Sequence, residues 1–249
     1  MRMGIVLGLS LLLTGCATGF NRQAIQQRLA DQPAVVDDAE IQAALDRKPQ
    51  LRFPIKLAIH LTAETYYPGL RAAPRTPPWA PDGTPSADWR WTVKDREMID
   101  QWAQPLREAG IVSDLYVMSE MISTTGDPRS IRLAAAKHGA DAVLPIKGVS
   151  QADSYVDGTA ICNLLIIPGY VVPSSHRDVL LLLRGAMWDV GNQCLYLSVD
   201  AEGEAKTRAP TFRIKDDAGM DEAKQVALAG FGDELQKRLQ ALKGTAPAN

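Results

Sequence analysis

Two long runs, residues 178–190 (DVLLLLRGAMWDV) and 194–206 (CLYLSVDAEGEAK), are separated only by Gly191-Asn192-Gln193. Strand-forming runs joined by a short connection of this kind make a β-hairpin, because Gly and Asn accept the positive φ that tight hairpin turns require. A hairpin this long commits that part of the chain to a sheet. The remainder is then read as the strands that extend the sheet and the helices that cover it.

The preceding chain alternates between the two periodicities. Residues 51–61 (LRFPIKLAIHL) interleave Ile55, Leu57 and Ile59 with Lys56, Ala58 and His60, a strand pattern whose Pro54 stands at the start, where no ladder donor is needed. Thr92 and Asp95 have capping-box spacing ahead of Met98, Ile99, Trp102 and Leu106 on one helical face. Pro105 removes the bond to the Gln101 carbonyl, so a kink or a helix in two pieces is expected, with Gly110 as the stop.

Residues 111–118 read as a second strand. Asp127-Pro128 opens a helix with an acceptor at the cap and proline in the first turn. Ile131, Ala134, Ala135 and His138 follow, and Gly139 closes it. Residues 142–149 (AVLPIKGV) form a third strand, in which Pro145 predicts an edge position or a bulge. Met220, Ala223, Val226, Ala227, Phe231, Leu235, Leu239 and Leu242 sustain helical periodicity toward the C-terminus. The order strand, helix, strand, helix, strand, hairpin, helix predicts an α/β domain, a single mixed sheet packed by helices.

The first residues carry a different message. Arg2 precedes an apolar run over residues 4–13, far short of the roughly 20 residues a spanning helix needs and proportioned like the core of a signal peptide. The run ends in Leu13-Thr14-Gly15-Cys16, which resembles the lipobox of bacterial lipoproteins. The resemblance implies diacylglycerol on the Cys16 thiol and cleavage between Gly15 and Cys16. Ala17 in place of Asp, by likeness to enterobacterial lipoproteins, implies sorting to the periplasmic face of the outer membrane, with the inner membrane as the alternative.

The organisation expected is therefore a lipoprotein signal peptide over 1–15, a lipidated tether over 16–50, an α/β domain over 51–243 and a short tail over 244–249. The tether holds two short helices, one with Ile25, Arg28 and Leu29 on a face, the other capped by Asp37 and Glu40 ahead of Ile41, Ala44 and Leu45. Residues 68–85, with six prolines, form an irregular excursion of the domain.

A wider resemblance rests on Leu133-Ala134-Ala135-Ala136-Lys137-His138-Gly139-Ala140-Asp141-Ala142-Val143-Leu144 and on Ala186-Met187-Trp188-Asp189-Val190-Gly191-Asn192. Both are similar to the helix-to-strand junction and the hairpin of periplasmic α/β lipoproteins: the amino-terminal domain of TolB, the LpoB-type cell-wall synthase activators and the curli-secretion lipoprotein. Tyr170-Val171-Val172-Pro173 also resembles the rhombotarget lipoproteins. The resemblance implies a fold, a place in the cell envelope and a non-enzymatic role through protein–protein contacts, with no cofactor. Arg184, Asp189, Asp200, Glu202 and Glu204 on the hairpin argue against a pore like that of the curli channel.

Composition narrows the function further. With 27 Lys+Arg against 29 Asp+Glu, the formal charge of -2 lacks the basic excess of a nucleic-acid binder. His60, His138 and His176 are far apart, and neither HExxH nor CxxC spacing occurs, so no metal site is expected. Ser175 and His176, near Asp178, supply the alternative of a periplasmic hydrolase, although triads assemble from separate segments and no GxSxG elbow is present.

Cys162 and Cys194 are either a disulfide in an oxidising periplasm or two buried thiols. Tyr66, Tyr67, Trp79, Trp89 and Trp91 crowd the proline-rich excursion, either pinning it to the core or offering a partner surface. Residues 160–172 (AICNLLIIPGYVV), with Ile166, Ile167 and Tyr170, are likewise a core segment or an apolar contact patch. The function expected is an accessory or scaffold lipoprotein held to the membrane through Cys16 and working on an unidentified envelope protein, or a subunit of an envelope secretion or assembly complex.

Overall fold

A computed structural model describes residues 20, 22–29, 38–63, 90–118, 127–156, 175–209 and 219–245. The hairpin dominates it. β4 (Ser175–Asp189) and β5 (Leu195–Ala209) pair antiparallel from Ser175↔Ala209 to Trp188↔Leu195, with one register shift between Met187 and Trp188. β3 (Ala142–Val156) lies antiparallel on the other side of β4, while β1 (Ile55–Ala63) runs parallel to both β3 and β2 (Val112–Val117). The five strands form one mixed sheet in the order β2-β1-β3-β4-β5, the α/β architecture read from the sequence.

The helices are α1 (Arg22–Leu29), α2 (Asp38–Leu45), α3 (Val93–Asp100), α4 (Ala103–Glu108), α5 (Pro128–Lys137) and α6 (Met220–Thr245). Local chemistry sets their ends. The Thr92 side chain accepts from the Asp95 amide at 3.3 Å, and the Thr92 amide donates to the Asp95 carboxylate at 2.8 Å, a reciprocal box that starts α3. The break at Gln101 and Trp102 separates α3 from α4 just ahead of Pro105, whose ring supplies no donor to the Gln101 carbonyl. Asp127 accepts from the Ser130 amide at 3.1 Å to cap α5. Gly110 and Gly139, at φ 61° and 68°, turn the chain out of α4 and α5.

Pro145 departs from expectation. It sits neither at an edge nor at a bulge but within central β3, paired with His60 of β1. The β3–β4 register is unbroken from Val143↔Trp188 to Ile146↔Gly185, yet the intervening positions are unpaired. The missing amide is thus absorbed by a gap in the ladder rather than by an extra residue. β3 also continues to Val156, seven residues past the apolar run that marked it in sequence.

Alternation along the strands divides the sheet into two unlike faces. Ile55, Leu57, Ile59, Leu144, Ile146, Leu181 and Leu183 meet α3, α4 and α6 in one continuous core, which we call the inner face. The helix α6 is pressed close here. A Cβ at Gly203 of β5 would collide with the Ala223 carbonyl and lie 2.6 Å from the Ala227 amide, so only glycine lets α6 rest on β5. Trp102 stacks on Phe231 with ring centroids 5.7 Å apart. The outer face carries two smaller clusters: Ala58, Ile131, Ala134, Ala135 and Val143 under α5, and Ile25, Val149, Leu180 and Leu182 under α1.

One ion pair is buried in the inner layer. Lys224 of α6 donates to Asp95 at 2.8 Å, with side chains 3% and 5% exposed. Asp95 therefore caps α3 and ties it to α6 with the same carboxylate oxygen.

Candidate functional site

The N-terminal segment meets the sheet in two places, and this is where the structure adds most to the sequence. The first is on the outer face. Ile25 is 1% exposed against Val149, Leu180 and Leu182, with Phe20 packed on the same cluster. Arg22, at the start of α1, reaches Glu202 at 2.6 Å and Glu204 at 3.4 Å on β5. The hydrogen bond from Arg22 to Glu202, then the charge of that carboxylate, raise the Arg22 pKa further above its usual value. These pairs are solvent-facing, so they orient the helix while Ile25 supplies the apolar contact. Beside α1, Gln26, Leu182, Arg184, Asp200 and Glu202 border a hollow of about 210 Å³, and Arg184 pairs with Asp200 at 2.7 Å.

The second place is the hairpin turn. Asp189, 5% exposed, accepts the Gly191 amide at 2.7 Å, the Asn192 amide at 2.9 Å and the Tyr196 hydroxyl at 2.6 Å. The Gln50 amide donates to the Tyr196 hydroxyl at 3.0 Å, and the Asn192 side chain donates to the Lys48 carbonyl at 2.7 Å. Arg132 of α5 donates to the Val190 carbonyl at 2.6 Å. Burial, then the bond to Asp189, push the Tyr196 pKa up to about 12. This network knots residues 48–50, the turn and α5 together; its polar groups are satisfied by one another, which is the signature of a structural site.

Within the segment expected to be a lipidated tether with two short helices, Arg22, Ile25 and residues 48–50 contact the sheet or its hairpin turn. Its other helix, α2, differs: Ile41 and Leu45, one turn apart, are 49% and 73% exposed.

The residues singled out in sequence distribute as follows. Gly15, Cys16, Tyr66, Tyr67, Trp79, Trp89, Cys162, Ile166, Ile167 and Tyr170 lie outside the described residues. Of the two alternatives for the aromatic cluster, Trp91 takes the core one: at 8% exposure it belongs to the inner core beside α3. The disulfide is corrected. Cys194 is a free cysteine, half-buried where the hairpin turn enters β5. Cys162 follows Val156 by six residues, a reach of about 21 Å. Val156 pairs with Ser175 at the opposite end of the sheet from Asp189, roughly 45 Å away along β4.

Ser175 and His176 are successive positions of β4, and successive strand positions belong to opposite faces of a sheet. His60 pairs with Pro145 and His176 with Tyr155, ten residues further along β3 and so roughly 33 Å distant. His138 caps α5, its ring 5.5 Å from that of Tyr116. Among the described residues no group of three or more His, Cys, Asp or Glu is placed to hold a metal ion, and no helix is long and apolar enough to cross a membrane. A second hollow of about 210 Å³ lies between α4 and α6, lined by Met98, Trp102, Pro105, Leu106 and Gln236.

Sequence reasoning missed Arg22, Phe20 and the Asp189–Tyr196 pair. The apolar helical face that holds Ile25 is the one local signal available; its partners stand more than a hundred residues away.

No protein-family model matches the chain, and neither does any curated protein. Solved structures do align with it. A single-substitution variant of the PelC dodecamer from Paraburkholderia phytofirmans is 16% identical over 77% of this chain and 93% of its own, with a TM-score of 0.34. The hypothetical protein CT253 from Chlamydia trachomatis is 9% identical over 75% and 99%, at 0.38. Lipoprotein GNA1162 from Neisseria meningitidis is 13% identical over 73% and 99%, at 0.30. Likenesses at that level assign no function.

Proposed function

We propose that the chain is exported, receives diacylglycerol on the Cys16 thiol, is cleaved between Gly15 and Cys16, and acts without catalysis as an accessory or scaffold factor at the periplasmic face of the outer membrane. The observation that carries the reading is the short apolar run closing on Leu13-Thr14-Gly15-Cys16. Small residues at Thr14 and Gly15 admit a peptidase, and only a thiol forms the thioether. Two or three acyl chains exceed what stable membrane attachment needs, at about 0.8 kcal/mol per buried CH₂.

Topology supports a contact role for the aromatic segments. Residues 64–89 leave the sheet at Ala63, 119–126 at Met118, 157–174 at Val156 and 210–218 at Ala209. β1, β2, β3 and β5 all run away from the knotted turn, so each of these connections follows a strand end distal to that turn; Val156 and Ala209 are level across Ser175, while β1 ends at Ala63↔Gly148, eight positions before Val156. We assign the partner surface to these connections, with Tyr66, Tyr67, Trp79, Trp89, Ile166, Ile167 and Tyr170 as the side chains that would make the contact. Connections rooted on a rigid sheet are the usual seat of binding.

Replacing Cys16 with Ser tests the anchor: palmitate incorporation into the protein in its host should vanish, and continued labelling overturns the assignment. For the hydrolase alternative, Ser175→Ala and His176→Ala are the measure. Partner capture by in-cell crosslinking that survives both changes leaves the contact reading standing.

A further inference from the structure

We propose that the outer face of β3, β4 and β5, with α1 laid across it, is the face this domain turns toward a lipid bilayer. The inference rests on the acylation of Cys16 proposed above and adds an orientation to it. Its basis is where the chain leaves the folded body. Phe20 and Ile25 are packed on Val149, Leu180 and Leu182, and Arg22 is bonded to Glu202. Phe20 follows Cys16 by four residues, so the acyl chains stand at most about 14 Å from the point where the segment joins the sheet. Without α1 docked, the first fixed point would be Lys48, held by Asn192, 32 residues after Cys16 and as much as about 110 Å of extended chain. Docking of one short helix converts a long leash into a hinge.

A hinge that short cannot let the domain roll over. The sheet and α6 lie behind α1, so the outward side of α6 stands about 20 Å further from the membrane than the outer face. The charges around α1 do not themselves demand an anionic surface. Arg22 and Arg184 are matched by Glu202 and Asp200, so the apposition is set by the tether and is insensitive to salt.

The test uses the full acylated chain in phosphatidylethanolamine–phosphatidylglycerol vesicles that carry an acceptor dye on the headgroups. A donor dye is placed through an azide-bearing residue at position 198, exposed on the outer face, or at position 240, exposed on α6. Energy transfer from 198 should exceed that from 240 by the equivalent of about 20 Å, equally at low and high salt. Inserting about twenty Gly/Ser residues after Thr18 leaves α1 intact and should abolish the difference; Ile25→Asp should do the same by releasing α1. Equal transfer from the two positions in the parent chain, or a difference that survives the insertion, overturns the proposal. Palmitate labelling of the same protein separates the two readings: unlabelled protein refutes the anchor, and coupling Cys16 of the Cys162→Ser, Cys194→Ser variant to a maleimide phospholipid then tests the face directly.

Discussion

The two faces of the sheet are built on different principles. The inner face is a continuous apolar layer under α3, α4 and α6, close enough that Gly203 and Phe231 set the spacing. The outer face of β3–β5 mixes Val149, Leu180 and Leu182 with Arg184, Asp200, Glu202 and Glu204, and one eight-residue helix rests on it with Ile25 buried and Arg22 paired to Glu202. Stability resides on the first face and adjustability on the second. A short helix held at Ile25 and by exposed ion pairs can detach without unfolding what lies beneath it.

The sharpest break of this contrast is Phe231→Ala. Removing a fully buried ring that stacks on Trp102 and meets Gly185 should cost about 3–5 kcal/mol in chemical denaturation. Lys224→Ala comes next. It strands a buried Asp95 carboxylate that also caps α3, for a loss of about 3 kcal/mol. The double variant with Asp95→Asn should recover part of that loss, because the cap acceptor remains while the unpaired charge is gone. On the outer face, Ile25→Asp should speed amide exchange in α1 while moving the global denaturation midpoint by no more than about 0.5 kcal/mol. A global loss as large as that of Phe231→Ala would erase the distinction between the faces.

The smallest effect concerns pH. Tyr196 has a folded pKa of about 12 against an ordinary value of 10.0, so its contribution is intact below pH 10. It declines as the unfolded chain ionises first, between pH 10 and about 12. Tyr196→Phe should flatten that part of the stability profile relative to the parent protein.

What the sequence made legible was whatever a few neighbouring residues decide. Thr92 with Asp95, Asp127 with Pro128, Gly110, Gly139 and the turn after Asp189 all act within a handful of positions, and each element end falls where they place it. Pro145 misled because a lost donor matters only through the partner it would have met, and β4 leaves that position unpaired. Trp91 could not be assigned for a related reason, since an aromatic beside a loop suits a core as well as an interface. The docking of α1 was beyond reach: Arg22 and Glu202 are 180 positions apart, and nothing local pairs them. Cys162 and Cys194 were compatible in type, but Cys194 stands at the turn end of the hairpin and Val156, six residues before Cys162, at the other.

The position of α6 in the chain has a consequence for biogenesis. This helix, residues Met220–Thr245, is the last described element and the lid of the inner layer over β4 and β5. A polypeptide delivered from its N-terminus, whether by a ribosome or through a translocation pore, exposes the underside of its sheet until those final turns emerge. The inner side of the sheet is therefore covered only once Met220–Thr245 has emerged, and a chain cut short before Met220 would be delivered as an adhesive, protease-sensitive species instead of a smaller working protein.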